Sequence, residues 1–299
     1  MELFKKVPNY KFMKNKWYAI IFTTALLVIS VMALVLKGRE HLGIDFVGGS
    51  EIILQFDKSI KIDELRSVSQ GIGLGSATIQ QYDQEGRQFS IKDKKALNEE
   101  IEKIKSSFSD NKITLLSNQV VGPLIGKQIA SSGIKAFIWG LFVIFVYVSI
   151  RFEWPFAFGA IFALFHDAVI VLGAYIVAGH EFNGHIIASI LTIVGYSVND
   201  TVIIFDRIRE NLGKIGLKDE NGNKATFSDI IDISTNETLS RTLITSGTIF
   251  ISALGLLVFG KGVIKELGFA FTVGTLIGTY SSIFVASPIA DMLRKFKKN

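Results

Sequence analysis

The sequence of 299 residues contains no cysteine and only four prolines. The absence of thiols excludes disulfides, zinc–thiolate sites, iron–sulfur clusters and cysteine nucleophiles. Charged residues are also scarce, at 20% against 49% hydrophobic residues, and the mean hydropathy is +0.40. A soluble globular chain needs more polar residues to cover its surface, and a disordered chain is far less hydrophobic. The composition therefore predicts an integral membrane protein.

The hydrophobic residues are concentrated in six blocks, each close to the ~20 residues that a helix needs to cross the bilayer core. Residues 17–36 carry no charge, and the basic segment before them lacks the features of a cleaved signal peptide, so we expect this helix to be retained. The other predicted transmembrane helices occupy residues 129–150, 156–177, 186–205, 242–260 and 267–290.

Basic residues near the ends of these spans predict their orientation, because Lys and Arg are enriched on the cytoplasmic side of membrane proteins. With the amino terminus inside, sixteen Lys and Arg residues lie near the cytoplasmic side and six near the outer side. We therefore expect the basic tails, residues 1–16 and 291–299, and the loop 206–241 to be cytoplasmic. The counted basic residues include Lys5, Arg39 and Lys218.

Residues 37–128, between the first two spans, have the composition of an ordinary globular domain. Alternating and β-branched runs predict four strands, periodic runs predict two helices, and residues 83–87 predict a turn. The resulting order, βαββαβ, is typical of a ferredoxin-like split arrangement. The predicted fold is thus a polytopic α-helical membrane protein with six transmembrane helices and one ferredoxin-like α+β extracytoplasmic domain between helices 1 and 2. The predicted strands are 51–56, 77–82, 88–91 and 112–117, and the predicted helices are 61–70 and 94–108.

The predicted cytoplasmic loop has a polar half at residues 219–223 and an amphipathic half that begins near Phe227. Thr226 and Asp229 have the spacing of a capping box at the start of a helix. Two interpretations of this amphipathic segment remain open. It is either a helix that lies in the membrane interface before the fifth span, or a surface helix packed on the bundle.

Polar residues inside the spans are the best functional candidates, since a carboxylate near the centre of a membrane helix costs about 2.5–3.5 kcal/mol on insertion scales. Asp200 lies seven residues before Arg207, or roughly 10 Å of helix rise, so we expect it below the headgroups. We favour a functional role for Asp200. Its neighbour Asn199 lies on a different face of the helix, where holding helices together is the more common role.

His166 and Asp167 lie about halfway along the third span. For His166 a hydrogen bond to a neighbouring helix is favoured over a proton relay. For Asp167 both interpretations remain open. Arg241 begins the fifth span, and it is either a simple cytoplasmic anchor or a partner that reaches inward to Asp200 and makes the carboxylate a switchable proton site.

The sequence shows no phosphate-binding lysine loop, no nucleophile triad and no metal-ligand cluster, so we predict a protein without covalent chemistry, metal or cofactor. We also expect no nucleic acid partner. An ion gradient then remains as the energy source, at about 2.3 kcal/mol per elementary charge moved across 100 mV. A carboxylate with a hydroxyl neighbour such as Thr201 suits either a proton or a sodium ion.

Three motifs carry a resemblance to a known family. They are Gly43-Ile44-Asp45-Phe46-Val47-Gly48-Gly49 after the first span, Gly195-Tyr196-Ser197-Val198-Asn199-Asp200-Thr201 with Phe205-Asp206-Arg207-Ile208-Arg209-Glu210-Asn211 in and after the fourth, and Ser240-Arg241-Thr242-Leu243-Ile244-Thr245-Ser246 at the start of the fifth. Together with His166-Asp167 and Val121-Gly122-Pro123, these motifs resemble the SecD/SecF family of bacterial preprotein translocase subunits. The single outer domain of modest size favours the SecF branch of that family.

The resemblance implies a multi-pass protein of the bacterial cytoplasmic membrane with the fold of half a resistance-nodulation-division transporter, in which SecD supplies the other half. It implies a complex with SecD, association with the SecYEG channel and often YajC, and action on the translocating preprotein with a proton or sodium gradient. The implied ion-pathway residues are Asp200 and Arg241, and we add Asp167, Asn199 and Thr201 as ion-pathway candidates from their positions in the spans. The family-motif residues are Gly43, Asp45, Phe46, Gly48, Gly49, Gly195, Tyr196, Asp206, Arg207 and Arg209.

Two other functions remain open at this point. One is half of a small-molecule exporter of the resistance-nodulation-division type, although the domain between residues 37 and 130 is short for a drug-binding domain. The other is a non-conducting scaffold in which Asp200 and Arg241 form a fixed ion pair.

Overall fold

The computed structural model describes residues 6–37, 41–83, 85–95, 97–214 and 223–298. The predictions that involve Lys5, Arg39, Gln84, Lys218 and residues 219–222 lie outside these residues. In chain order the elements are α1 (Lys16–Lys37), α2 (Ile44–Val47), β1 (Gly49–Phe56), α3 (Ile62–Gly71), β2 (Thr78–Gln81), β3 (Gln88–Asp93), α4 (Asn98–Ser107), β4 (Ile113–Val121), α5 (Pro123–Arg151), α6 (Trp154–Val177), α7 (Gly184–Leu212), α8 (Phe227–Phe259), α9 (Val263–Ser281), a π-helical turn (Ser282–Ala286) and α10 (Ser287–Lys298).

Six helical segments among the described residues are long and apolar enough to cross a membrane, and each contains one of the six predicted spans, except that Gly260 of the fifth span lies just after the end of its helix. They are α1, α5, α6, α7, α8 and the continuous segment from α9 through the π-helical turn into α10. Several extend past the predicted limits: α5 begins at Pro123 instead of residue 129, and α7 continues to Leu212 instead of ending at residue 205. The bilayer limits the apolar part of a helix but not the helix itself, and proline at the first position suits a helix start.

The amphipathic segment after Thr226 is not a separate helix in the membrane interface, and that interpretation is wrong. It forms the first turns of α8, which runs without a break for 33 residues, or about 50 Å. Its capping box is confirmed, with Asp229 accepting the Thr226 backbone N–H at 2.8 Å. The apolar stripe packs into the bundle, where Ile231 is buried. A helix continues here because no proline or glycine interrupts residues 227–246.

Residues 49–121 form an α/β domain between α1 and α5. Its four strands make one antiparallel sheet in the order β2-β3-β1-β4. Alternation along β1 places Ile52, Leu54 and Phe56 on one face, where they pack with α3 and α4 in a closed apolar core. The opposite face of β1 and β3 carries Glu51 and Lys92, and these side chains are nevertheless mostly buried. The second face therefore lies against the loops of the helix bundle.

The helix bundle is organised around α6, which contacts α1, α5, α7, α9 and α10. Small residues allow this close approach: a Cβ atom at Gly173 would overlap Ser30 of α1, and one at Gly159 would lie 2.6 Å from the carbonyl oxygen of Ala286. In contrast, α5 and α8 expose apolar side chains along much of their length, as at Ile138 and Ile251. We call the end of the bundle at the α/β domain the domain side and the opposite end, at residues 6–16 and α10, the tail side.

Candidate functional site

Asp200 lies within α7 with no exposed surface. One of its carboxylate oxygens, Oδ2, accepts a hydrogen bond from Ser246 Oγ of α8 at 3.1 Å. Ser246 Oγ in turn accepts from Tyr196 Oη at 2.7 Å and from Thr279 Oγ1 of α9 at 2.8 Å. The other carboxylate oxygen, Oδ1, has no hydrogen-bond partner among the described residues. Asp200 thus ends a chain of hydroxyl groups from three helices and keeps one acceptor open.

Asp167 of α6 is also buried, and both of its carboxylate oxygens have partners. Its Oδ2 accepts from Ser197 Oγ of α7 at 2.6 Å and from Ser281 Oγ of α9 at 2.8 Å. Its Oδ1 lies 2.9 Å from Nδ1 of His166, whereas His166 Nε2 has no partner among the described residues. Asp167 therefore joins three helices through hydrogen bonds, which is the structural role that the sequence left open beside a relay.

Thr201 does not contact the Asp200 carboxylate. Its Oγ1 lies 2.9 Å from Ser282 Oγ, at the start of the π-helical turn. This turn leaves the regular α-helical hydrogen-bond pattern, and Ser287 Oγ donates to the Ser282 carbonyl at 3.2 Å. Irregular turns of this kind are often found at functional sites in helices. We call the buried polar set around the two acids the inner cluster; its members are His166, Asp167, Tyr196, Ser197, Asp200, Thr201, Ser246, Thr279, Ser281 and Ser282.

Arg241 and Asn199 do not join the inner cluster. Arg241 is exposed, and within the described part of the chain no ion pair joins it to Asp200. It lines a groove of about 450 Å³ between α7 and α8 on the tail side, beside the ion pair of Arg207 Nε and Glu237 Oε2 at 2.6 Å. Asn199 is exposed on another face of α7. Of the five predicted ion-pathway residues, the structure brings Asp167, Asp200 and Thr201 together.

The tail-side motif residues form an ion-pair network below Asp200. Asp206 Oδ1 lies 3.2 Å from Arg151 and 2.9 Å from Arg209, and both arginines are about half exposed. The network holds the tail-side ends of α5 and α7 together. Tyr196 contributes to the inner cluster through its hydroxyl, and a Cβ atom at Gly195 would meet no neighbour.

The glycine-rich motif after α1 has a different, structural role. Asp45 Oδ2 accepts the backbone N–H of Gly184, the first residue of α7, at 2.7 Å, which places a negative charge at the positive end of the helix dipole. Gly43 leaves no space for a side chain beside Asn183, and Gly48 has a positive φ of 81°. The motif therefore locks the short helix α2, which includes Phe46, between α5 and α7.

A second polar cluster, which the sequence analysis missed, joins the α/β domain to the bundle. Glu51 Oε1 accepts from Tyr82 Oη at 3.0 Å and from Ser90 Oγ at 2.5 Å. Lys92 Nζ donates to Glu181 Oε2, in the loop between α6 and α7, at 2.8 Å and lies 3.7 Å from Glu51. Burial by itself lowers the pKa of Lys92, but the carboxylates of Glu51 and Glu181 outweigh it and raise that pKa. Burial and Glu51 raise the pKa of Tyr82.

The bundle contributes its own half of this contact. Glu266 Oε2, in the first turn of α9, lies 2.8 Å from His185 Nε2 and accepts from Tyr175 Oη at 2.9 Å. The Tyr82 ring packs over Gly262, just before α9. A usable signal in the sequence was the charge on the β-sheet face opposite the apolar core, beside two membrane spans. We call this set the junction cluster; its members are Glu51, Tyr82, Ser90, Lys92, Tyr175, Glu181, His185 and Glu266.

Six apolar helical segments with buried acids between them define a polytopic helical membrane protein. Comparison with known proteins specifies the family. Residues 100–296 match the family model described as "Protein export membrane protein SecD/SecF, C-terminal", and residues 41–60 match the "SecD/SecF GG Motif". The chain belongs to the SecD/SecF family.

Curated relatives and solved structures agree with this assignment. The chain is 37% identical to the protein translocase subunit SecF of Rhodothermus marinus, over 98% of this chain and 96% of that protein, and the same values hold for the SecF of Rickettsia rickettsii. It resembles the crystal structure of SecDF, a translocon-associated membrane protein from Thermus thermophilus, with a TM-score of 0.84 and 34% identity over 98% of this chain. SecDF in a super-membrane-facing form gives a TM-score of 0.70 and 32% identity over 99% of this chain. The chain spans 39% and 40% of those two SecDF chains.

Proposed function

We propose that this chain is an accessory subunit of the Sec preprotein translocase in the bacterial cytoplasmic membrane. In this proposal it works with SecD and uses the proton or sodium gradient to promote late steps of protein export, without covalent chemistry. Support comes from the relatives, which are named as protein translocase subunits. They match this chain over nearly their whole length. The ferredoxin-like α/β domain is then extracytoplasmic, both termini are cytoplasmic, and SecYEG and YajC are further partners.

The observation that carries the proposal is the environment of Asp200. A buried carboxylate normally has a cationic partner, because an isolated charge is costly at low dielectric. Asp200 has one hydroxyl donor, Ser246, on one oxygen and no partner on the other among the described residues. Binding a proton or a sodium ion at this acid removes the uncompensated charge, and releasing it restores the charge. Such a site is suited to alternate between two charge states as ions pass.

The charge state of Asp200 affects the packing of three helices. Ser246 connects Asp200 on α7 with Tyr196 and with Thr279 on α9, so a change in the hydrogen bond at Oδ2 reaches α8 and α9 together. Gly262, just before the domain-side end of α9, packs against Tyr82 of the α/β domain, and Glu266 in the first turn of α9 belongs to the junction cluster. Movement of α9 is thereby passed to the sheet of the α/β domain. This is the proposed route from ion binding to the preprotein.

In this proposal, the partner SecD corresponds to a part of SecDF outside the 39% that this chain spans. An apolar helix face is available for such a contact, because α8 exposes Ile251 and Val258 on the helix that holds Ser246. Placing SecD beside α7 and α8 puts the open oxygen of Asp200 near the subunit interface. The sides of the membrane follow from the basic residues that the sequence places mostly on the tail side.

The scaffold alternative required a fixed ion pair between Asp200 and Arg241, and no such pair joins them in the described parts of α7 and α8. The exporter alternative required a large outer domain with an apolar pocket. The α/β domain has instead one small core that α3 and α4 fill. Neither alternative gains support from the structure.

The decisive experiment replaces Asp200 with asparagine, which keeps the size and one acceptor but cannot change charge. Export of a reporter preprotein is measured in membrane vesicles that contain the chain with SecD and SecYEG, with and without an ion gradient. We expect the Asp200→Asn complex to assemble and to lose the stimulation by the gradient. The matched control is Asp206→Asn, an exposed acid six residues further along α7, which should retain the stimulation. Normal stimulation in Asp200→Asn would refute the proposal.

A further inference from the structure

A groove between α2, α5, α6 and α7 is a feature that neither the ion pathway nor the export function uses. It lies on the domain side of the bundle and has a volume of about 360 Å³, at the lower end of the range for small-ligand pockets. Every residue that lines it is apolar. The lining residues include Phe46 of α2, Ala130 and Phe137 of α5, Ala168 of α6, and Ile187 and Ile190 of α7.

The groove together with Lys127 spans the depth of one membrane leaflet. Along α5 the lining runs from Ala130 to Phe137, and Phe137 lies ten residues after Lys127, or about 15 Å of helix. Half of a hydrocarbon core of about 30 Å has the same thickness. A ligand that follows the groove therefore passes from the headgroup region to the middle of the bilayer.

The chemistry of the walls restricts the occupant to an apolar chain. A polar group in the groove would find no hydrogen-bond partner among the lining side chains, and burying it there without one is unfavourable. The groove is also open toward the surface of α5, which is largely exposed in the bundle. An acyl chain can enter from the side and fill the space without leaving the membrane.

The exposed charges near the mouth of the groove are positive, because Glu181, beside the lining residue Phe182, is partly buried and pairs with Lys92. Lys127 is exposed on α5 and precedes Ile134, a lining residue, by seven residues, so at about 100° per residue the two lie within roughly 20° on one face. Lys94 lines a neighbouring cleft beside Gly49 and Pro123, also on the domain side. The nearest acid of α2, Asp45, is already bound to the Gly184 N–H. The mouth therefore complements a phosphate group.

We infer that this groove is a binding site for an anionic phospholipid, with one acyl chain between α5 and α7 and the phosphate beside Lys127. The inference rests on the placement of these helices in a membrane and not on the proposed export function. A lipid here would contact Phe46 in α2, the element that connects α1 to the first strand of the α/β domain. The lipid thus forms part of the support on which that domain is held.

Photo-crosslinking tests whether a lipid acyl chain lies in the groove. The full-length protein is reconstituted into vesicles of phosphatidylethanolamine and phosphatidylglycerol that contain phosphatidylglycerol with a diazirine in its acyl chain. Mass spectrometry should place the adducts on the groove walls of α5 and α7. The variant Ala130→Phe fills the groove and should reduce the yield of these adducts roughly tenfold, a loss of about 1.4 kcal/mol in binding. The matched control Ala136→Phe, on an exposed face of the same helix, should leave the yield unchanged.

The position of the lipid phosphate is tested by removing the charge of Lys127 on α5. Lys127→Gln should weaken labelling by the phosphatidylglycerol probe relative to a phosphatidylethanolamine probe with the same diazirine chain, whereas Lys135→Gln, about 80° away on the helix, should not. Adducts spread evenly around α5, or equal yields in Ala130→Phe and wild type, would overturn the inference. So would a crosslink that places a helix of a partner protein in the groove, or equal selectivity in Lys127→Gln and wild type.

Discussion

The inner cluster and the junction cluster are both built on buried acids, but they neutralise those acids in different ways. At the junction, Glu51 and Glu181 share the ammonium group of Lys92, and Glu266 contacts His185. In the inner cluster, Asp200 contacts a hydroxyl group, and no lysine or arginine pairs with it among the described residues. The two clusters lie at different depths of the same bundle and meet through α9.

This difference separates acids that stay charged and hold elements together from an acid that can change its charge. An acid with a fixed cation stays charged, because protonation would leave the cation unpaired in a buried place. Lys92 therefore fastens the α/β domain to the loops of the bundle. An acid that is surrounded by hydroxyl groups can lose its charge without leaving a cation behind, since each hydroxyl can rotate and donate elsewhere. The predictions below test this division, from the largest expected change in stability to the smallest.

The largest effect is expected when Lys92 at the junction is replaced by methionine. The change leaves Glu51 and Glu181 buried without their cation, and breaking a buried pair in this way costs about 3–5 kcal/mol. Hydrogen exchange of β1 and β3 in the full-length protein should accelerate more than a hundredfold, as each 1.4 kcal/mol is about a factor of ten. The matched control Lys105→Met removes an exposed pair with Glu102 and should change exchange little. Equal exchange in the two variants would contradict the fastening role.

Replacing Asp167 by alanine should give the next largest loss. The change removes the shared acceptor of Ser197, Ser281 and His166, and each buried donor without a partner costs about 1–3 kcal/mol. The cost should lie near the lower end, because Ser281 already shares a second bond with the Gly278 carbonyl. The melting temperature in detergent should fall by several degrees. An Asp167→Ala protein that melts with the wild type would show that Asp167 does not hold the helices together.

Alkaline pH should loosen the junction by a smaller amount. Because the pKa of Lys92 is raised in the folded protein, its stabilisation is fully present below the ordinary lysine value of about 10.4 and is lost as the pH rises through the folded value. The loss is at most about 1.4 kcal/mol per pH unit. Melting curves between neutral and alkaline pH should show this loss in the wild type and a flatter response in Lys92→Met. Parallel curves would mean that Lys92 does not titrate as argued.

The smallest change in stability is expected at the proposed switch itself. In Asp200→Asn, Ser246 can still donate to the amide oxygen, and the cost of the unpaired N–H donors at the open position is offset by the loss of a buried charge, so the net change should stay below about 1 kcal/mol. The melting temperature should therefore match that of Asp206→Asn while gradient-stimulated export is lost. A large drop in stability would place Asp200 with Lys92 and Asp167 among the residues that hold elements together, and would leave the inner cluster without a switch.

The sequence was informative where one physical rule dominates. Hydrophobic runs located all six membrane segments, because the bilayer demands about 20 apolar residues wherever a helix crosses it. The capping box at Thr226 was recognisable from two residues at a fixed spacing. The end of α7 was not, because nothing in the bilayer stops a helix whose polar turns form ion pairs such as Asp206 with Arg209.

Contacts between distant segments were beyond what local patterns could give. One of the two interpretations of Arg241, an approach to Asp200, relied on two charges in neighbouring spans. Arg241 instead lines the tail-side groove, and Ser246 is the hydrogen-bond partner of Asp200. The junction cluster brings together residues from Glu51 to Glu266, and each of its acids, like Lys92, resembles an ordinary surface charge when it is read alone. Sequence patterns report the environment of one element at a time, whereas these clusters depend on how several elements pack.

By itself, the sequence determined that this chain is a membrane protein, that six of its helices are suited to cross the bilayer, and that a few acids lie within those helices. Hydration of the backbone and of charged groups decides those points, and it acts on each segment separately. Which acid receives a lysine, which receives only hydroxyl groups, and where an apolar groove remains open were decided by the tertiary structure. Packing fixes these partners because side chains far apart in the chain compete for the same buried space, and only the folded bundle settles that competition.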